Sequence, residues 1–333
     1  MSLSSSQVLF LSTLLLGTTL AVSSTSWFGA WIGLELNLLS FIPIISSKNN
    51  QYSSEAALKY FLIQALGSSI IILAASLMLI KTIPANMLLC IALLLKAGAA
   101  PFHFWFPSVM EGLQWPQAIV LMTIQKIAPL SLMSYLNIST IYPMLMSAVI
   151  LSAMIGAIGG INQTLLRKIM AYSSINHMAW MLVAMTISET SWLLYFLFYC
   201  LVASSVALLF NYQEAFHISR LFNHTNFSPE IKLLTLMALL SLGGLPPFTG
   251  FIPKWFIIQE MVSASLFFTL TILLMSALLT LFYYLRVSIT ALMVSAPKIK
   301  WTTKKVLPSL STSPILFINF LGLLTPSLFV MIM

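Results

Sequence analysis

The stretch LLLKAGAAPFHFWFP, residues 93–107, sets one lysine and two prolines in an otherwise apolar run. Proline removes a backbone donor and obstructs the carbonyl four residues earlier, so a helix is expected to break near Pro101. If the run crosses a membrane, the charge of Lys96 costs roughly 2.5–3.5 kcal/mol at its centre. Such a cost indicates a functional group, because buried charges in membrane spans usually line ion or proton paths.

A second stretch, LSLGGLPPFTGFIPKW at residues 240–255, has the same form. Both stretches contain the pattern Pro-Phe-x-x-x-x-Pro, and here Pro247 marks the break and Lys254 follows it. Within a bilayer the carbonyls freed by a break must meet polar side chains or water, so two internal polar sites are expected. The simpler alternative is that both prolines only kink continuous helices.

Composition places the chain in a membrane. Of 333 residues 59% are hydrophobic and 7% are charged, whereas a soluble domain carries about 25% charged residues. The two cysteines cannot supply the four thiolates of an iron–sulfur cluster. The sequence also contains no glycine-rich phosphate loop and no metal-ligand cluster. We therefore expect no catalytic, cofactor-binding or metal residues, and a candidate site inside the membrane.

Apolar segments of about 20 residues predict an all-α membrane protein with about eleven transmembrane helices. They lie near 6–24, 27–46, 55–80, 86–106, 116–136, 141–161, 165–187, 191–213, 231–260, 263–290 and 312–332. We expect a single polytopic membrane domain over residues 1–333. Because the two breaks are five spans apart, an odd number, the pattern predicts antiporter-like inverted repeats with two discontinuous helices. The repeats would cover about 6–136 and 141–290, followed by a C-terminal helix at about 312–332.

Basic residues predict the orientation of the chain. Loops on the N-terminal side hold Lys48, Arg167, Lys168, Arg220, Lys298, Lys300, Lys304 and Lys305. The opposite loops hold Lys81 together with Glu189 and Glu260. By the positive-inside rule the N-terminus faces the cytoplasm-equivalent side, and an odd number of spans places the C-terminus across the membrane.

Four ionisable residues lie near the middle of predicted spans: Glu35, Lys96, Lys126 and Lys254. A buried carboxylate and a buried ammonium can both stay ionised when they are paired, so Glu35 is expected near Lys96 or Lys126. The sequence does not decide between the two lysines. Lys254 has an alternative, in which its ammonium reaches the membrane interface from a helix end.

Two histidines can extend a relay between these charges. His177, inside the seventh span, can accept and release protons near neutral pH. His103 lies seven positions after Lys96, with Pro101 between them. For each histidine the alternative is a structural hydrogen bond to a neighbouring group.

Several longer strings resemble one family closely. They are GLELNLLSFIP (33–43), SSEAALKYFLIQA (53–65), LLLKAGAAPFHFWFP (93–107), IQKIAPL (124–130), GAIGGINQTLLRKIMAYSSINHMAWM (156–181) and LSLGGLPPFTGFIPKW (240–255). In their order these strings resemble the chain 2 family of mitochondrial NADH:ubiquinone oxidoreductase, respiratory complex I, in an arthropod-like form. The resemblance extends to about residue 290.

The resemblance implies an antiporter-like subunit of the proton-pumping membrane arm. By motif, Glu35 matches the family's key glutamate, Lys96 and Lys254 the lysines of its two broken helices, and Lys126 the connecting lysine. The family implies NADH, FMN, iron–sulfur clusters and ubiquinone in other subunits of the assembly, with none in this chain. It implies membrane-arm and accessory subunits and lipids as partners, no nucleic acid, and no function of the chain alone.

The resemblance also implies a place in the mitochondrial inner membrane. Together with the basic residues it predicts the N-terminus in the matrix and the C-terminus in the intermembrane space. Two other functions remain open: a stand-alone cation/proton antiporter and a purely structural membrane subunit. An antiporter predicts an acidic ion-binding pair in the bundle, whereas this chain has no Asp and one deep Glu.

Overall fold

A computed structural model describes residues 5–46, 50–80, 84–223, 229–293 and 319, and these form fourteen helices. The helices are α1 (Ser5–Ser23), α2 (Trp27–Ile45), α3 (Gln51–Leu79), α4 (Pro84–Ala97), α5 (Trp105–Gly112), α6 (Trp115–Met122), α7 (Ile124–Ser134), α8 (Ile138–Ile161), α9 (Leu166–Ile187), α10 (Glu189–Tyr212), α11 (Ile218–Asn223), α12 (Pro229–Gly243), α13 (Phe251–Ser263) and α14 (Phe267–Met293). One isolated β-bridge joins Leu165 to His217.

The all-helical membrane fold is confirmed. Seven segments of the described residues are long and apolar enough to cross a membrane: α1, α2, α3, the pair α6–α7, α8, α10 and α14. Helices α4 and α12 are shorter apolar segments, as expected for halves of broken spans. The number of eleven spans stays a prediction, and the predicted helix at 312–332 lies outside the described residues.

The chain divides into two compact units, Met1–Ser152 and Ala153–Met333. In the first unit α2 packs on α1 and α3, while α3 packs on α4 and α5 and α7 packs on α4 and α1. The boundary falls inside α8, twelve residues after the proposed start of the second repeat at 141, which lies in the same helix. The repeat limits and the inverted relation between them stay predictions.

The second unit is built around α9, which is buried along almost its whole length. Helices α10, α13 and α14 pack against it, and α12 joins α10 to α14. Because α9 is surrounded by protein, it can carry Ser173, Ser174, Asn176 and His177 without exposing them to lipid.

Both expected helix breaks are present. Residues 98–104 separate α4 from α5, and residues 244–250 separate α12 from α13, so each linker has seven residues. Pro101 and Pro247 lie at the same position of their linkers, exposed on the surface of this chain. A third interruption, which the sequence analysis did not anticipate, separates α6 from α7 at Thr123.

Candidate functional site

The two half-helices that precede the breaks end in the same way. Gly98 and Gly244 adopt left-handed backbone conformations, with φ of 74° and 79°. The next residue donates its N–H to the carbonyl five positions earlier: Ala99 to Leu94 at 3.1 Å, and Leu245 to the matching carbonyl of α12 at 3.4 Å. This is the Schellman cap, for which glycine is the usual residue because it has no Cβ to clash.

Polar side chains donate to backbone carbonyls at both breaks. At the first break the indole of Trp105 donates to the carbonyl of Leu95 at 3.0 Å, and the amide of Gln64 donates to that of Lys96 at 3.3 Å. At the second break the Nζ of Lys254 donates to the carbonyl of Gly243 at 2.9 Å. The expectation that freed carbonyls meet polar groups is therefore confirmed at both breaks.

Lys254 lies in the first turn of α13, directly after the second break. It is buried, and its side chain runs along Gly244, where an added Cβ would stand 2.9 Å from Cδ and 3.0 Å from Nζ. The start of α13 also approaches the end of α12 closely, because a Cβ on Gly250 would lie 1.8 Å from the carbonyl oxygen of Ser241. The ammonium is thus held by the end of a half-helix, where the carbonyl dipoles favour a positive charge.

Lys96 occupies the last turn of α4 and is 5% exposed. Its aliphatic part packs on Gly67 of α3, where an added Cβ would stand 3.0 Å from Cγ. Glu35, half-buried on α2, interacts with Lys96 electrostatically. No direct salt bridge joins these two described side chains. The sequence left Lys96 and Lys126 as possible partners of Glu35. The structure shows that Glu35 acts electrostatically on Lys96.

Lys126 is 2% exposed and lies in the first turn of α7, just after the interruption at Thr123. Its ammonium stands 5.0 Å from the centroid of the Phe106 ring, within the range of a cation–π interaction. The same ring packs against Gly98, where an added Cβ would lie 3.2 Å from Phe106 Cδ2. Lys126 therefore reaches the first helix break through one aromatic ring.

A chain of polar side chains links three helices of the first unit. The amide of Gln125 donates to Asn37 Oδ1 at 2.7 Å, and the Tyr60 hydroxyl donates to Gln125 Oε1 at 3.1 Å. Asn37 shares α2 with Glu35, and Gln125 precedes Lys126. Sequence analysis missed Asn37, Tyr60 and Gln64. Asn37 and Gln64 could have been identified, because an amide inside a membrane span is costly and usually has a polar partner.

His103 lies in the linker of the first break. The residue is 5% exposed, and its Nδ1 is 3.2 Å from the carbonyl oxygen of Pro101. Its ring contacts that of Phe104 at a tilt of 34°, with the centroids 4.2 Å apart. These contacts stabilise the linker, and a role of His103 in proton transfer stays a prediction.

His177 is buried at the middle of α9. Its Nδ1 lies 2.8 Å from the hydroxyl of Tyr195, and its ring centroid is 5.2 Å from that of Tyr199. His177 also lines a cavity of about 10 Å³, about the room one water needs. Ser241, Gly250 and Pro253 line the same cavity, so it joins His177 to both halves of the second break.

The structure thus brings the predicted residues together in two groups. Glu35, Lys96 and Lys126 surround the first break, while His177 and Lys254 adjoin the second. Among the described residues no group of His, Cys, Asp or Glu could hold a metal ion. Carboxylate, amine, imidazole and hydroxyl groups at this spacing are suited to holding and passing protons.

Comparison with known proteins shows the family of the chain. The family model described as NADH:quinone oxidoreductase/Mrp antiporter, TM, matches residues 24–82 and 80–280. The chain is 48% identical to NADH-ubiquinone oxidoreductase chain 2 of Anopheles gambiae, covering 95% of this chain and 94% of that one. It is 38% identical to the Locusta migratoria protein of the same name, covering 99% and 98%.

Solved structures show the same fold. A chain of respiratory complex I from Thermus thermophilus with bound aureothin matches with a TM-score of 0.83 and 26% identity, covering 96% of this chain and 78% of that chain. A chain of the Mrp complex from Dietzia matches with a TM-score of 0.75 and 17% identity, covering 86% and 60%. The match to the Mrp complex shows a shared fold and nothing more.

Proposed function

Because the chain belongs to the NADH:quinone oxidoreductase/Mrp antiporter membrane family, and within it to the chain 2 subunits of NADH-ubiquinone oxidoreductase, we propose that it carries protons across the membrane in that enzyme. The enzyme is a proton-translocating NADH:ubiquinone reductase. In this assembly electron transfer takes place in other subunits, and the chain couples it to proton movement through buried side chains.

The observation that carries the proposal is a buried lysine at each helix break. Lys96 and Lys254 are 5% and 6% exposed. Lys96 lies in the half-helix that ends at the first break, and Lys254 donates to the last carbonyl of the half-helix that ends at the second break. A lysine kept in such a position costs stability, and a structural subunit gains nothing from two of them. A proton carrier needs groups that hold a proton inside the membrane and release it when their surroundings change.

The free energy needed to move a proton across the membrane is similar to the free energy available from a change in the proton affinity of one lysine. Moving one charge against about 100 mV costs about 2.3 kcal/mol. A hundredfold change in the proton affinity of one lysine corresponds to about 2.7 kcal/mol. Moving the Glu35 carboxylate toward or away from Lys96 is an electrostatic change on this scale, so the mechanism requires no large domain motion.

We assign the roles as follows. Glu35 controls how firmly Lys96 holds its proton, and Lys126 receives protons beside the first break. His177 exchanges protons with the second break through the cavity it shares with Pro253, and Lys254 is the proton-binding group there. His103 stabilises the first linker, and its ring is the candidate for a proton step on that side.

The assembly supplies what this chain lacks. NADH, FMN, iron–sulfur clusters and ubiquinone belong to its other subunits, and none binds here. Leucine and phenylalanine side chains that are exposed on α1, α3 and α14 meet lipid or neighbouring membrane-arm and accessory subunits. We place the chain in the mitochondrial inner membrane as a multi-pass protein, with the N-terminus in the matrix and the C-terminus in the intermembrane space.

Two measurements test the proposal. In native membranes the chain should comigrate with an NADH-oxidising assembly, whereas a stand-alone antiporter would migrate apart from it. Within the assembled enzyme, Lys96→Ala should slow proton pumping and the NADH oxidation coupled to it, while Lys59→Ala should not. Lys59 is the matched control because its ammonium is exposed and paired with Glu55 at 2.6 Å. Unchanged pumping in Lys96→Ala would favour a structural subunit.

A further inference from the structure

Gln125 joins three helices of the first unit through a single amide group. Its Nε2 donates to Oδ1 of Asn37 on α2 at 2.7 Å, and its Oε1 accepts from the hydroxyl of Tyr60 on α3 at 3.1 Å. Asn37 and Tyr60 are each 2% exposed, and Gln125 is half-buried. Polar side chains inside a membrane bundle hydrogen-bond across helices, so this one amide holds α2, α3 and α7 together.

The joined helices also hold the charges of the proposed site. Helix α2 carries Glu35, and the residue after Gln125 on α7 is Lys126. On α3, one turn after the tyrosine that binds Gln125, the amide of Gln64 donates to the carbonyl of Lys96 at 3.3 Å. One set of hydrogen bonds therefore reaches the backbone segments that carry all three residues of the first break.

The bond to Asn37 fixes the rotation of α2 about its own axis. An α-helix turns about 100° per residue, so Asn37 lies about 200° around α2 from Glu35. A rotation that moves the Glu35 carboxylate toward or away from Lys96 must move the Asn37 amide by the same angle. Side-chain tips stand about 5–6 Å from the axis, so about 10° of rotation shifts them by about 1 Å. That shift is enough to break a hydrogen bond of 2.7 Å.

The hydroxyl on the other side of the Gln125 amide is held in place by aromatic packing. The ring of Tyr60 meets that of Phe41 edge to face, with centroids 5.2 Å apart, and its centroid lies 5.9 Å from that of Trp105. Trp105 in turn donates to the carbonyl of Leu95 at the first break. Gln125 is thus anchored to the elements around the first break, and it connects them to α2.

We propose that Gln125 is a positioning residue for proton transfer in the first unit: its amide sets the rotation of α2 against α7, and with it the place of the Glu35 carboxylate. This inference rests on the proposed function and adds to it the residue that holds the controlling glutamate. Gln125 itself takes up no proton, because its side-chain amide serves only as a hydrogen-bond donor and acceptor. A movement of the first turn of α7 reaches Glu35 through the same bond.

A purely structural joint between helices is the competing explanation. The second unit has a similar joint, in which the hydroxyl of Ser276 on α14 donates to Oδ1 of Asn176 on α9 at 3.0 Å. There Ser174, and not a glutamate, stands two positions before the asparagine. Loss of a structural joint has the same effect whatever residue stands at position 35. Loss of a positioning residue affects pumping only while Glu35 carries its charge.

The test compares Gln125→Leu with Gln117→Leu, each alone and combined with Glu35→Gln, in the assembled enzyme reconstituted in vesicles. Gln117 is the matched control because it is half-buried in the same span and also makes two hydrogen bonds. It accepts from the N–H of Gln114 at 3.0 Å and donates to the carbonyl of Ile44 on α2 at 2.6 Å. That bond lies about two and a half turns beyond Glu35, near the end of α2.

We expect Gln125→Leu to slow proton pumping per assembled enzyme about two- to tenfold, the factor that corresponds to losing one hydrogen bond. Gln117→Leu should change this rate by less than about twofold. In enzyme that already carries Glu35→Gln, Gln125→Leu should slow pumping no further, because its effect acts through that charge. The positioning role is overturned if Gln125→Leu slows pumping equally with and without Glu35→Gln, or does not slow it at all.

A milder variant replaces Gln125→Leu in this comparison if that variant fails to assemble. Tyr60→Phe keeps the ring that packs on Phe41 and removes only the hydrogen bond to Oε1 of Gln125. Slowing by Tyr60→Phe that disappears in the Glu35→Gln enzyme would support the positioning role. A full rate, or slowing that does not depend on Glu35, would overturn it.

Failure of the positioning role can be told apart from failure of the proposed function. If Glu35→Gln and Lys126→Ala slow pumping while Gln125→Leu does not, the proposed function stands and only the role of Gln125 is wrong. If none of these three variants changes pumping in the assembled enzyme, both are wrong.

Discussion

A single methyl group at Gly244 should displace Lys254 from its carbonyl. Gly244 caps α12 in the left-handed region, and its Cα faces the lysine side chain. The matched control is Gly98→Ala at the first break. Gly98 has nearly the same φ, but an added Cβ there would meet the rings of Trp105 and Phe106 at 3.2 Å, with no lysine among its nearest neighbours.

The structure gives the size of the effect. Alanine in the left-handed region costs about 1–2 kcal/mol at either position, so both variants should lose similar stability. At Gly244 the new Cβ would lie 2.9 Å from Cδ of Lys254. Restoring an ordinary contact of about 3.5 Å needs a shift of about 0.6 Å. The same shift lengthens the 2.9 Å bond from Nζ to Gly243 to about 3.5 Å, beyond a normal hydrogen bond.

Two assays separate the two effects. The temperature at which the assembled enzyme loses activity should fall by a similar amount in both variants. At a temperature where both are intact, the rate of proton pumping should fall more in Gly244→Ala, which moves Lys254 itself, than in Gly98→Ala, which reaches Lys126 only through the Phe106 ring. Equal pumping in the two variants would show that the position of Lys254 on the Gly243 carbonyl is irrelevant to transport, and the reasoning about the second break would be wrong.

Other substitutions probe the remaining residues of the site. Glu35→Gln removes the charge that acts on Lys96, so coupled activity should fall. Activity should recover in part as the pH is lowered, because a higher proton concentration offsets the weaker binding of the proton by Lys96. Rates measured from pH 6 to 8 that show a deficit independent of pH would refute this. Lys126→Ala should lower pumping while leaving the amount of assembled enzyme near normal, as judged on native gels. Gly250→Ala should prevent assembly, because the new Cβ would stand 1.8 Å from the backbone oxygen of Ser241. Overpacking of this kind costs about 1–3 kcal/mol or more. Normal assembly would disprove the close approach of α12 and α13.

The helix breaks were predictable because proline and glycine act locally. Pro101 and Pro247 determine where a helix cannot continue whatever surrounds them, and the structure has linkers at both places. The charged residues were equally visible, since an amine or carboxylate in an apolar span is costly. Composition predicted a membrane protein, and the apolar segments of about 20 residues predicted that it is all-helical.

Tertiary partners were not predictable in the same way. Nothing near Lys126 in sequence identifies Phe106, which lies on another helix, as its contact. Gln64 and Tyr60 are polar residues on α3, one helical turn apart, but which helix each would bind depends on the packing of α3 against α4 and α7. Their distances appear only once the helices are placed.

The interruption at Thr123 shows a further limit. No proline or glycine marks it, and the segment 115–134 has the hydropathy of one continuous span. Its Thr123 hydroxyl hydrogen-bonds the carbonyl of Ile119 at 2.7 Å, which offers the backbone an alternative to regular helix. Threonine in membrane helices is too common for that signal to be specific.

The central claim is that the buried lysines carry the protons, and the number of protons pumped per NADH tests it most directly. The measurement compares the reconstituted enzyme containing Lys96→Met, Lys126→Met and Lys254→Met together with the enzyme containing Lys59→Met. The account predicts that the triple variant, once assembled, pumps fewer protons per NADH or stops coupled turnover, while the Lys59 variant matches the unmodified enzyme. An assembled triple variant that pumps the normal number at the normal rate would contradict the account.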